Sequence, residues 1–162
     1  ALRSTHIGYQ FAQKNTIGIP QFQDNNIELI DQNGIVRNQD DFADRPIALF
    51  FGFTYCPDVC PTTMTFLNEF VASLEGTEAQ DTQVVMVSVD PARDTVSQLA
   101  SYVPFFNPDF IGVTGEFLEI HRFATALNTP FRKVAGEGDS YQVDHSSNVV
   151  LINPKGDYHG FF

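Results

Sequence analysis

The sequence predicts an α/β fold: a central mixed sheet flanked by helices, with an N-terminal β-hairpin and a C-terminal antiparallel hairpin. Three observations predict it. PIALFFGF (residues 46–53) and QVVMVSVD (83–90) are nearly unbroken apolar runs, the pattern of strands buried on both faces. Apolar residues at helical spacing follow each run. Asn-Gly and Asn-Pro-Lys-Gly turn signals stand near the two ends.

Each element follows in order. IELIDQNGIV (27–36) sets Asn33 and Gly34 between apolar residues, a strong hairpin signal. Residues 46–53 are the first central strand. TTMTFLNEFVASLEG (62–76) puts Phe66, Leu67, Phe70, Val71 and Leu74 at helical spacing, ended by Gly76. Pro61 lacks an N–H and belongs in a first helical turn, so this helix starts between Val59 and Pro61. Residues 83–90 are the second central strand. Asp94 or Thr95 caps a helix from TVSQLASYV. Residues 109–113 supply a short strand, and Thr114 caps the helix GEFLEIHRFATALN. Residues 148–162 read as strand, turn at Asn153–Gly156, strand. Strands alternating with helices give a sheet that is parallel in its middle. Antiparallel strands added at the edge make the layering thioredoxin-like. The length suits one domain over residues 1–162, residues 1–16 being either an ordered arm or the remnant of a tether.

Composition narrows the function. Hydrophobic residues make up 43% and charged residues 18%, as in an ordinary globule. A formal charge of −11 repels phosphate backbones and argues against nucleic acid as a partner. No apolar run is long enough to span a bilayer, and no signal peptide is present.

The two cysteines, Cys56 and Cys60, lie in FTYCPDVCP at the carboxyl end of the first central strand. A disulfide closing so short a loop adds little stability, so the pair points to redox or metal chemistry. In open α/β sheets, ligands gather at these strand ends. The start of a helix favours thiolate, which predicts thiols more acidic than free cysteine. Cβ atoms four positions apart near a helix are roughly 5–6 Å apart, whereas a relaxed disulfide wants about 3.8 Å. A metal with bonds near ~2.3 Å holds two sulfurs roughly 4 Å apart. A metal suits the spacing best and a reducible disulfide second. Packing as two small hydrophobes explains the position poorly.

An imidazole would complete a three-coordinate copper site or part of a tetrahedral zinc site. His6 and His159 lie near the ends, and His121 sits on a helix boundary face. His145, in YQVDHSSNVVL, occupies a loop entering the last buried strand and is the candidate third ligand. A satisfied structural histidine is the competing reading. Asp144 is a candidate to orient the imidazole or to modulate its charge, with a solvated loop acid as the competing reading. Asp58, between the cysteines, either supplies a fourth oxygen or supports the helix start. SVDPARDT (88–95) reads as structural, with Arg93 paired to Asp90 or Asp94.

FGFTYCPDVCPTTM, SVDPARDT, GVTG (112–115) and YQVDHSSNVVLINPKG together resemble the Sco/SenC family, over roughly residues 17–161. The chain departs conservatively at Met64, Val96 and Val113. The resemblance implies a thioredoxin-like fold that binds one copper ion, Cu(I) or Cu(II), through Cys56, Cys60 and His145. It implies help in assembling the binuclear copper centre of cytochrome c oxidase, with the subunit bearing that centre as partner. Other copper chaperones or thiol–disulfide oxidoreductases are further partners. It places the protein on the periplasmic side of the bacterial inner membrane, or less readily in the mitochondrial intermembrane space. An N-terminal membrane helix absent from these residues would tether it there. The same residues also suit a thiol–disulfide oxidoreductase reducing partner cysteines, or a redox or copper sensor. Nothing beyond the cysteine pair points to a thiol peroxidase, and no general base accompanies a zinc reading.

Overall fold

The computed structural model describes residues 27–136 and 140–162; the expected arm or tether at 1–16 lies outside them. Its centre is β3 (Ile47–Gly52) beside β4 (Gln83–Ser88), paired in parallel from Ile47 opposite Gln83 to Gly52 opposite Ser88. Every residue of β3 is buried, as an unbroken apolar run requires. A parallel pair needs a crossover, and α1 (Val59–Ser73) supplies it. It buries Cys60, Met64 and Leu67 against the sheet. The helix begins within the expected window but ends earlier than residue 76. Gly76 lies in the following turn at φ +76°.

β4 leads through α2 (Val96–Phe106) to β5 (Ile111–Thr114), again parallel. Thr95 caps α2, accepting from the Gln98 N–H at 3.2 Å. Asp94 is spent elsewhere. It is wholly buried and accepts from the Thr54 N–H (3.1 Å), the Thr54 hydroxyl (2.6 Å) and the Ser88 hydroxyl (2.7 Å). One carboxylate thus fastens the turn after β3 to the end of β4. Burial holds its carboxyl above the usual range, against those hydrogen bonds. Thr114 does not cap α3 (Phe117–Ala126): it ends β5, paired with Ile30, and Glu116 occupies the cap without a side-chain bond.

The hairpins close the sheet. β1 (Leu29–Asp31) and β2 (Val36–Arg37) are antiparallel, and β1 also pairs with β5. The buried Asp31 carboxylate organises the turn by accepting from the Asn33 and Ile35 N–H groups and from Arg37 Nε. A 3-10 helix at Gln39–Phe42, not expected from the sequence, follows β2. β8 (Val149–Ile152) lies antiparallel to β3, and β9 (Tyr158–Phe161) pairs with β8. The seven strands run β2-β1-β5-β4-β3-β8-β9.

A further hairpin stands apart. β6 (Phe131–Ala135) and β7 (Tyr141–His145) form their own two-stranded antiparallel sheet. His145 therefore ends a strand rather than lying in a loop. The segment alternates, with Tyr141, Val143 and His145 on one face and Gln142 and Asp144 on the other.

Candidate metal centre

The cysteines arrive from the β3–α1 turn. The Phe53 carbonyl accepts from the Cys56 N–H at 3.2 Å, curling the chain back at the strand's end. Cys60, in the first turn of α1, then points inward and is wholly buried, while Cys56 stays half-buried at the surface. The Cys60 N–H donates to Cys56 Sγ at 3.3 Å, so a helix-start amide serves the outer sulfur.

His145 arrives from the separate hairpin. Its Nε2 lies 3.4 Å from Cys60 Sγ, although the two residues are 85 positions apart. The three donor atoms of Cys56, Cys60 and His145 all lie within 4.8 Å of one another. Phe53 and Phe50 wall the imidazole edge-on, with ring centroids at 5.6 and 6.0 Å.

Its other nitrogen decides the tautomer. Nδ1 is 2.9 Å from the Ser146 carbonyl, which only accepts, so Nδ1 carries the proton and Nε2 presents a lone pair to the sulfurs. Burial pushes the His145 pKa below its ordinary value, outweighing the Ser146 carbonyl and the Asp144 charge. The ring is neutral near neutral pH, the form that binds metal.

A pH dependence follows. The unfolded chain takes up a proton near the ordinary histidine value of 6.5, which the buried ring resists. The stabilisation is complete above that value and is lost as pH falls through the lower native one. Urea unfolding of the metal-free protein, stepped from roughly pH 7 to 5, is expected to weaken more steeply in wild type than in His145→Ala. Parallel pH profiles would contradict it.

Cys60 differs from expectation. The start of α1 does not make Cys60 acidic: burial pushes its thiol up, and a hydrogen bond with Cys56 adds to this. In the metal-free protein Cys60 therefore keeps its proton, with Nε2 of His145 as the acceptor beside it. Asp144 does not orient the imidazole, since strand alternation sends its side chain outward to exposed Arg132 at 3.3 Å, but its charge does act on the ring, favouring the protonated form against burial. The Ser146 carbonyl does the orienting. Asp58 stands exposed at the cap position of α1, makes no side-chain cap bond, and is outside the donor cluster. Arg93 pairs with Asp90, the first of the two partners expected for it.

Two thiols and one neutral imidazole form a soft, compact donor set suited to copper. The SCO1/SenC family model matches residues 19–162. The chain belongs to the SCO1/SenC family. An SCO2-like protein of Rickettsia felis is 38% identical over 81% of this chain and 64% of its own length. The mitochondrial SCO2 homologue of Bos taurus is 36% identical over 79% of the chain and 49% of its own length. The chain thus spans about two thirds or less of these curated SCO relatives. Among solved structures, copper-bound ScoI of Arabidopsis thaliana is 34% identical, with a TM-score of 0.79 over 84% of each chain. Copper-bound yeast Sco1 is 28% identical, with a TM-score of 0.76 over 84% of this chain and 76% of its own. These SCO structures establish the thioredoxin-like layering expected from the element order. No helix among the described residues is long and apolar enough to cross a membrane.

Proposed function

We propose that this protein binds one copper ion through Cys56, Cys60 and His145 and passes it to the copper-centre-bearing subunit of cytochrome c oxidase. Convergence of two sulfurs and one lone-pair nitrogen within 4.8 Å carries the reading. The names of its SCO relatives support the assembly role, and bacterial and mitochondrial members support action on the periplasmic or intermembrane-space side of a membrane.

Cu(I) accepts low coordination, and loading exchanges the two thiol protons for the ion. Burial disfavours a free thiolate at Cys60, so in the absence of metal that sulfur rests protonated. Cys56 is the more exposed sulfur and the one an incoming thiolate reaches first. Release proceeds by exchange: a recipient thiolate takes the place of Cys56, whose sulfur then recovers a proton, and Cys60 follows.

Titration with Cu(I) and Cu(II), wild type against His145→Ala, tests the donor set. Cu(II) binding is expected to be lost, with Cu(I) binding weakened less because both sulfurs remain. Loaded wild type mixed with the metal-free oxidase domain should then develop that domain's copper absorption. Unchanged affinities, or no transfer, would overturn the proposal.

The inequality of the two sulfurs supports a second reading. Half-buried Cys56, the more accessible of the two, is placed to attack a partner disulfide as thiolate, releasing one partner thiolate, which takes up a proton. Cys60, giving its proton to His145 Nε2, then attacks Cys56 Sγ and releases the second partner thiol. The partner gains two electrons and this protein becomes the disulfide. Partner reduction by metal-free protein that slows in His145→Ala would favour it.

A further inference from the structure

The two segments that carry the donors are also joined by residues outside the donor set. Asp90, fully buried just beyond β4, accepts a hydrogen bond from the Tyr141 hydroxyl at 2.6 Å and pairs with Arg93 Nε. The Arg93 guanidinium lies 3.8 Å from the centroid of the Tyr141 ring, 5.0 Å from that of Tyr55 and 5.8 Å from that of Phe53. Tyr55 immediately precedes Cys56, and Phe53 is one of the rings walling His145. Tyr141 opens the strand that His145 closes. One cation is therefore packed between a ring of the thiol turn and a ring of the histidine hairpin. Its Nη2 is buried without a hydrogen-bond partner among the described residues, and the guanidinium carbon lies within 5.8 Å of three ring centroids.

The hairpin has need of such a tie. Its ladder is internal, Phe131 opposite His145 and Ala135 opposite Tyr141, and it is not a strand of the main sheet. Buried Val143 and Phe131 pack it against the body of the protein, Phe131 edge-on to the rings of Phe117 and His121 at 5.8 and 5.4 Å, all at the imidazole end of the ribbon or its middle. Tyr141 adds a directed bond to a buried acceptor at the other end of β7 from the imidazole. Lys133 of β6 adds a second cation, 4.6 Å from the Tyr141 ring.

We infer that Arg93 and Tyr141 are positioning residues, a strut that holds the histidine hairpin against the thiol turn and sets how closely the imidazole approaches the two sulfurs. The inference takes its functional meaning from the copper reading, but its first readouts need no metal.

The test uses the full metal-free chain as wild type, Tyr141→Phe and Arg93→Lys. Phenylalanine removes one oxygen and keeps the ring. Lysine keeps a charge facing Asp90 and loses the planar group that stacks. Amide hydrogen exchange across β7 is expected to quicken about tenfold in Tyr141→Phe while β3 and β4 keep their protection. The His145 ring resonances should move toward those of an exposed histidine. After Cu(II) addition, imidazole nitrogen hyperfine coupling should weaken in the electron paramagnetic resonance spectrum. If Tyr141→Phe fails to fold, Arg93→Lys decides by the same readouts. Unchanged β7 exchange and ring shifts in the variants would overturn the strut, as would equal loosening of β3, β4 and β7. Altered metal-free readouts with no Cu(II) bound by any form, wild type included, would support the strut while removing the copper reading.

Discussion

Cys60→Ala is expected to abolish tight copper binding. In a Cu(I) competition titration, affinity should fall by more than the ~10–100-fold that loss of a residue supporting a ligand costs. Cys60 is the hub of the donor set, since its sulfur faces both Cys56 and the His145 imidazole. Without it the half-buried Cys56 and the imidazole are left with a gap between them. The fold is expected to survive, because a wholly buried cysteine packs as a small hydrophobe and alanine is close in size. Serine is the poorer probe: it buries a hydroxyl in a largely apolar place. An affinity within threefold of wild type, roughly 0.6 kcal/mol, would remove Cys60 from the set.

The second large effect is at Gly52, which carries no chemistry. A methyl added there would sit 2.6 Å from Phe50 Cε1 and 3.1 Å from Cys60 Sγ. Phe50 is completely buried and has no room to swing aside. Gly52→Ala is therefore expected to cost about 1–3 kcal/mol in urea unfolding, the usual range for overpacking. It should also weaken copper binding, because Cys60 Sγ and the Phe50 ring flanking His145 are the atoms displaced. Wild-type stability with wild-type affinity would show that this corner of the core has slack.

Much of this was legible in the residues. β3 and β4 announced themselves by apolar continuity, and both end hairpins by their turn residues. The cysteine turn was legible because prolines and an adjoining strand leave few places for a helix to start. The β6–β7 hairpin was not. FRKVA exposes every residue after Phe131, so no apolar stripe marks it as a strand. The alternation of Tyr141, Val143 and His145 carried the missing signal, and it would have placed the imidazole on the packed face and Asp144 on the outer one. The thiol prediction failed at Cys60 for a different reason. Helix-end electrostatics is visible in sequence spacing, whereas complete burial of one sulfur is set by the whole core and outweighs it. Asp94 shows the same limit: a good capping residue by type was claimed by Thr54 and Ser88 from two other strand ends.

The separate ribbon bearing the imidazole also orders events during synthesis. Both sulfurs leave the ribosome long before the nitrogen that completes their set, with 85 positions between Cys60 and His145. The next strand after His145, Val149–Ile152, is also a late one, and it lies beside Ile47–Gly52, the strand that leads into the thiol turn. A nascent chain intercepted by the ion offers a bare dithiol, and the full grip arises only once the polypeptide is nearly finished. Tight capture by all three donors therefore requires that the chain be complete through β7.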